Sequence, residues 1–180
     1  MTIVLFSGKA EAGKSLSASL LKTMLEAQGK KVVIIPYGDY VKHTARLVWG
    51  WDGRKDAAGR QLLQWWGTDV ARAKEPDFWA MTAVRLAKLL NGIVDYILID
   101  DARYPNEITC WNCCDCLSVR IERPNHENAL TLEQRQHISE TSLDNWPFDV
   151  TISATDKQEL EAQIRDKVLD RLISKTEGGA

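Results

Sequence analysis

The chain has 180 residues, 44% of them hydrophobic and 27% charged. Its 23 Lys and Arg stand against 25 Asp and Glu, a formal net charge of −2. A domain that grips nucleic acid by its phosphates shows a basic excess, so nucleic acid is not the expected partner, although a local basic cleft stays compatible with the composition. The length suffices for one domain that folds without a disulfide or metal staple, and no apolar run approaches the roughly 20 residues that span a bilayer.

The opening MTIVLFSGKA lacks a basic leader segment and reads as a buried strand. The expected location is cytoplasmic, with Cys110, Cys113, Cys114 and Cys116 as reduced thiols. Four thiols this close together do not resemble the separated knuckles of a structural zinc site.

Residues 2–6 form an apolar, β-branched run, the pattern of a central parallel strand. A glycine loop and a helix over 15–28 follow, with Leu16, Leu20, Leu21, Met24 and Leu25 on one face and Gly29 just past its end. A second strand covers 31–35 and stops at Pro36. Between 39 and 91 only helices are expected, over 39–49, 60–73 and 77–90. The middle one carries Leu62, Leu63, Trp66 and Val70 on one face, and Pro76 opens the last. A third strand at 96–99 runs into Asp100 and Asp101. A short helix over 105–114 and a strand over 117–121 come next. Residues 122–146 are polar and aperiodic, weakly helical at 132–137, which suits a lid. A strand over 148–152 and an amphipathic helix over 156–173 complete the chain, with Thr155 and Gln158 as its capping box and 174–180 frayed. Five buried strands alternating with helices specify an α/β fold: a five-stranded parallel sheet with helices on both faces.

Gly8-Lys-Ala-Glu-Ala-Gly13-Lys14-Ser15 fits the phosphate-loop pattern G-x-x-x-x-G-K-[ST], with a strand before it and a helix after it. In such a loop, backbone N–H groups cradle phosphate oxygens, here those around Ala10, Ala12, Gly13 and Leu16. Gly8 and Gly13 give the backbone the required freedom. Lys14 reaches the β- and γ-phosphates of ATP, and the Ser15 hydroxyl ligates Mg²⁺. The acidic pair closing the third strand sits where a Walker B acid organises that ion, with Asp101 taken as the ligand.

Two kinds of nucleotide machine share these features. A ParA/MinD-like switch ATPase carries an extra lysine where Lys9 stands, but it expects glycines at Ala10 and Glu11 and an acid at Pro36. A small-molecule kinase needs a helical acceptor-binding segment after the second strand and an arginine-bearing lid near the fourth. Residues 37–92 and 122–146 supply both.

Tyr37-Gly-Asp39-Tyr-Val-Lys42, Gly67-Thr-Asp69-Val-Ala-Arg72, Asp77-Phe-Trp79, Asp101-Ala-Arg103-Tyr-Pro105-Asn106-Glu107 and His137-Ile-Ser139-Glu140-Thr-Ser-Leu143-Asp144 together resemble phage and prophage deoxynucleoside monophosphate kinases. The resemblance runs from Ile3 to about Ile152. It implies an adenylate-kinase-like phosphate-loop enzyme that passes a phosphoryl group from Mg-ATP to a dNMP. The Ala10-Glu11-Ala12 interior, where that family has smaller residues, and the Cys110 to Cys116 segment depart from it. A kinase of another small phosphorylated metabolite remains the alternative within the class.

Phosphoryl transfer needs positioning and positive charge, and arginine pairs with phosphate through a planar fork. The resemblance implies Lys14, Arg72, Asp101, Arg103 and Arg123 as the catalytic set. Arg72 is read either as a substrate-phosphate ligand or as an exposed partner of Asp69, which is itself counted among the acceptor-site residues. Arg103 emerges at the ligand edge of the sheet. Arg120, Arg123 and Arg135 bracket the lid, with Arg123 preferred for ATP. Asp39 is either a sugar or base ligand or a plain N-cap. Lys42 or Arg46 would hold the acceptor phosphate, and one tryptophan, taken as Trp66, would stack on the base while most of the others fill core. His137 is read as a lid hydrogen-bonding residue. A homodimer is left open.

Overall fold

The computed structural model describes residues 1–177. Strands β1 (Thr2–Ser7), β2 (Val32–Ile34), β3 (Tyr96–Ala102), β4 (Cys116–Glu122) and β5 (Val150–Ser153) form one sheet in the order β2-β3-β1-β4-β5. Every pairing is parallel. The helices are α1 (Lys14–Glu26), α2 (Tyr37–Trp49), α3 (Ala57–Gln64), α4 (Phe78–Leu90), α5 (Pro105–Thr109), α6 (Leu132–Gln136), α7 (Ile138–Thr141), α8 (Lys157–Ile164) and α9 (Asp170–Glu177). Two π-helical stretches extend them, Trp65–Arg72 after α3 and Arg165–Leu169 between α8 and α9.

The alternation of β1 shows why the central strands read as unbroken apolar runs. Val4 and Phe6 face a core shared with Leu21 and Leu25 of α1 and Leu160, Ile164 and Val168 of the C-terminal helix. Ile3 and Leu5 face the other core, with Ala80, Ala83 and Ala87 of α4, Tyr37, Trp111 and Leu143. The chain builds β2 and β3 on one side of β1 and then crosses to β4 and β5. The reversal falls at β1, and the phosphate loop leaves there, the place where ligands bind in open parallel sheets.

Local differences from the sequence reading have physical causes. Helix α2 begins at Tyr37 and not at 39, because the Asp101 carboxylate accepts the N–H groups of Tyr37 (2.8 Å) and Gly38 (2.7 Å). That cap comes from 63 residues away and has no local signature. Helix α3 starts at Ala57 under an N-cap by Asp56, whose side chain accepts the Gly59 N–H. Helix α5 stops at Thr109, short of 114. Strand β5 starts at Val150, since the Phe148 N–H is turned back to the Trp146 carbonyl. The cap of α8 is Asp156, while Thr155 donates to the Glu159 carboxylate. Helix α9 runs through Glu177, so the fraying expected for 174–180 does not begin at 174; residues 178–180 lie outside the described residues. Of the five tryptophans between 49 and 79, only Trp51 and Trp79 are buried, whereas Trp49 and Trp65 are exposed and meet edge to face.

Candidate active site

The phosphate loop wraps from β1 to the first turn of α1. Gly8 has φ +153°, and a Cβ there would lie 2.3 Å from the Ile121 carbonyl oxygen, so only glycine fits against β4. Lys14 is buried, and its Nζ donates to the carbonyls of Gly8 (2.9 Å) and Lys9 (2.7 Å). Burial, with the nearby Arg103 charge, lowers its pKa from 10.5 to about 8. Ser15 and Leu16 are exposed and Ala12 is buried. The Ala10 N–H donates to Glu140 Oε2 at 2.9 Å.

The acidic pair, in which Asp101 is the expected metal ligand, divides its work. Both Asp101 oxygens are spent on the N-terminus of α2. Its pKa rises from 3.8 to about 6 through burial, with Glu107 as a second cause. Asp100 is buried, and its Oδ1 has no hydrogen-bond partner among the described residues. It lines the same cavity as Lys14 and Ser15.

The segment following β3 ties the site together residue by residue. Arg103 pairs with Glu140 of α7 and donates to the Ser139 carbonyl at 3.1 Å. Asn106 Nδ2 donates to the Pro76 carbonyl (2.9 Å) and Asp77 Oδ1 (2.8 Å), fixing the start of α4. Glu107 is buried, meets Arg72 Nη2 at 2.5 Å and accepts the Arg103 N–H at 2.6 Å. The Tyr104 ring lies 4.0 Å from Arg72 Cζ. The D-x-R-[FY]-P-N-E pattern therefore joins α2, α4, α7 and the π-helical stretch at the mouth of the sheet. Trp79 adds a further tie, its indole N–H donating to the Gly67 carbonyl at 3.0 Å.

A cavity of about 660 Å³ opens between these elements. Ala10, Lys14, Ser15, Asp39, Lys42, Arg72, Asp101 and Arg103 all line it. Asp39 pairs with Lys42 at 2.6 Å within the first turn of α2 and is not its N-cap, which is Pro36. Three expected acceptor residues lie elsewhere. Arg46 stacks over Trp51 at 5.1 Å, the Trp66 indole donates to Thr44 Oγ1 at 2.8 Å, and Asp69 is exposed. None of the three lines the cavity, and Arg72 pairs with Glu107 and not with Asp69. Lys55, Arg60, Gln64 and Tyr104 also line it. The sequence carries no periodic signal at Lys55 or Arg60, whereas Tyr104 lies within the D-x-R-[FY]-P-N-E pattern.

Arg123 lines a second cavity of about 320 Å³ beside the loop, with Arg120, His126 and Asn128. Arg120 meets Asp144 at 3.5 Å, and Arg135 braces the lid by donating to the carbonyls of Leu130 (3.0 Å) and Asn128 (2.8 Å). His137 caps α7, its Nδ1 accepting the Ser139 N–H. The stretch 122–146 is not uniform. Leu143 is buried in the core and Asp144 pairs with Lys9, so its end is anchored, while 122–127 is exposed throughout.

Solved structures show what this arrangement is similar to. The Mycobacterium tuberculosis APS kinase CysC in complex with AMPPNP and APS matches with a TM-score of 0.53 and 16% identity over 95% of this chain and 96% of that one. This is the fold of the P-loop kinases. A cysteine-to-alanine mutant of CysC matches at 0.50 with 17% identity, again over 95% and 96%. A shikimate kinase from Bacteroides thetaiotaomicron matches at 0.48 with 12% identity over 96% and 98%. No protein-family profile and no curated protein matches the chain. Among the described residues no helix is long and apolar enough to cross a membrane, and no group of three or more His, Cys, Asp or Glu could hold a metal ion.

Proposed function

We propose that the chain is a kinase that transfers the γ-phosphoryl group of Mg-ATP to a nucleoside monophosphate, a deoxynucleotide by the motif resemblance. One observation carries this reading: a single cavity is bounded by Lys14 of the phosphate loop and by Lys42, Arg60 and Arg72 from the helical segment. Two anions, a triphosphate tail and an acceptor phosphate, would each find cationic side chains there, from the loop and from the helical segment.

In this reading Lys14 leaves the Gly8 and Lys9 carbonyls and neutralises charge on the transferring group. Asp100 and Ser15 would hold Mg²⁺, and the unpartnered Asp100 Oδ1 supports that fit. Mg²⁺ is bound through one or two carboxylates plus phosphates and waters, which agrees with the absence of a three-ligand cluster among the described residues. When bound, the ion withdraws charge from phosphate oxygens. Asp101 holds α2, and with it Asp39 and Lys42, at the cavity edge. Arg103 holds the lid's Glu140, which in turn takes the Ala10 N–H of the phosphate loop, and Arg123 meets ATP from the second cavity. No general base is required, because the acceptor phosphate oxygen is already ionised.

A second reading is a kinase of a hydroxyl group on another phosphorylated metabolite. The free Asp100 oxygen favours it, since a hydroxyl acceptor has a proton to lose. ADP release measured with ATP and a panel of dNMPs, NMPs and sugar phosphates separates the two. Turnover with one or more dNMPs supports the first reading. Turnover with sugar phosphates alone supports the second, and ADP release indifferent to every acceptor contradicts both.

A further inference from the structure

Arg72 is held on two sides. Glu107 Oε1 takes its Nη2 at 2.5 Å, and the Tyr104 ring covers its plane at 4.0 Å. The Tyr104 hydroxyl is itself fixed by Thr68 Oγ1 at 2.9 Å. Arg72 Nη1 is buried without a hydrogen-bond partner among the described residues, on a side chain that lines the cavity. Leaving a charged donor unpaired in a buried place costs the full desolvation of that group. A guanidinium cannot lose its proton to escape that cost. Glu107 also accepts the backbone N–H groups of Arg103 (2.6 Å) and Tyr104 (3.1 Å). Its carboxylate is thus bolted to the end of β3, and Arg72 inherits that position. The fork expected to grip a phosphate with both edges already spends Nη2 on Glu107.

We propose that Glu107 is a positioning residue for the acceptor site: it fixes the Arg72 guanidinium against Tyr104 and reserves Nη1 for an anionic oxygen of the acceptor. This rests on the acceptor being a phosphate ester, as proposed above. Burial raises the pKa of Glu107 while Arg72 pulls it back down, so the carboxylate depends on its partner as much as the partner depends on it. The ligand chemistry assigned to this corner is a terminal phosphate dianion reached by one nitrogen, with the Tyr104 edge beside it.

The test is a double-mutant cycle on acceptor use. Glu107→Gln removes the charge, and Glu107→Asp, should the amide fail to fold, keeps it but withdraws it by one methylene. A misplacement of about 1 Å in a positioning group costs up to 10²-fold. Either variant is expected to lower kcat/KM for the preferred dNMP by tenfold or more while the KM for ATP changes less than twofold. In an Arg72→Ala background the same change at Glu107 is expected to have no further effect on dNMP use. Equal losses in both backgrounds, or a parallel loss of ATP affinity, overturn the proposal.

A second readout does not depend on turnover. In protein with labelled arginine, inorganic phosphate is expected to shift the Arg72 guanidinium NMR signals, with Nη1 and Nη2 resolved. In the Glu107 variants the two signals average and the phosphate response falls at least tenfold in affinity. If wild type turns over no dNMP yet shows this pattern, the substrate reading fails and the positioning role stands. If dNMPs are turned over but the Arg72 signals are already averaged in wild type, the positioning role fails and the substrate reading stands.

Discussion

On the phosphate-loop side of the cavity, the proposed donor side, the backbone does the holding. Gly8 packs against the Ile121 carbonyl with no room for a Cβ, and the loop springs from β1, whose Ile3 to Phe6 are wholly buried. On the acceptor side, α3 and the π-helical stretch after it bury only Gly59 and Gly67. Their leucines and Trp66 are half-buried, and their position depends on side-chain ties: Glu107 to Arg72, Trp79 to Gly67, Thr68 to Tyr104. One wall is set by sheet topology, the other by a few polar contacts from distant segments. The donor wall is therefore preformed. The acceptor wall, with few buried apolar contacts, belongs to the low-stability end from which moving elements are drawn.

The largest effect expected is at Lys14. Lys14→Ala should lower kcat by about 10²–10³-fold or more, because it removes a charge aimed at the transferring group. Circular dichroism should show the fold intact. Near wild-type turnover in the folded variant would break the donor half of the comparison.

Glycine substitutions sharpen the contrast in stability. Gly8→Ala meets a carbonyl at 2.3 Å with φ +153°, and should cost roughly 3 kcal/mol or more. At Gly67 the added Cβ meets only the Val41 side chain, at 3.0 Å. There a helix-propensity gain of about 1 kcal/mol offsets the crowding, and the net change should stay within about 1 kcal/mol. Urea unfolding of both variants gives the comparison directly; equal losses would contradict it.

The pH dependence of ATP binding tests the burial of Lys14. Its pKa of about 8 means that the free protein carries a neutral Lys14 above that pH. Arg103 adds to the depression, while Glu140, Asp101 and Asp100 oppose it. Phosphates favour the charged form, so binding above pH 8 takes up a proton. ATP affinity should be flat below pH 8 and then fall towards about tenfold per pH unit. Calorimetry in buffers of different ionisation enthalpy should register the proton. Affinity that stays flat to pH 9.5 would contradict the assignment.

A smaller effect is expected at Glu140, whose carboxylate occupies the Ala10 N–H and Arg103 together. Both are groups that a phosphate would use. Glu140→Gln should tighten ATP binding by about three- to tenfold, the net scale of one hydrogen bond, because the carboxylate whose charge is removed is nearly buried. Weaker binding would instead mean that Glu140 prepares Arg103 for the nucleotide.

This contrast also explains what could be read in the sequence. The parallel sheet, α1 and the phosphate loop were legible because their determinants are local: apolar runs, glycines at fixed spacing and a lysine at the start of a helix. Arg46, Trp66 and Asp69 were expected at the acceptor and lie off the cavity, because short helices with half-buried faces leave their rotation to tertiary ties. Asp100 and Asp101 look equivalent in a string. They are told apart only by Tyr37 and Gly38, which donate to one and not the other. Glu107 and Glu140 stood inside recognised patterns, yet their partners Arg72 and Ala10 lie 35 and 130 residues away.

The most direct test of the central claim is the fate of the γ-phosphorus. Phosphorus NMR of wild-type protein with Mg-ATP and each dNMP in turn follows it directly. The account predicts loss of the ATP γ-signal, with ADP and a deoxynucleoside diphosphate appearing in equal amounts for at least one base. Inorganic phosphate appearing at the same rate with or without every dNMP would contradict it.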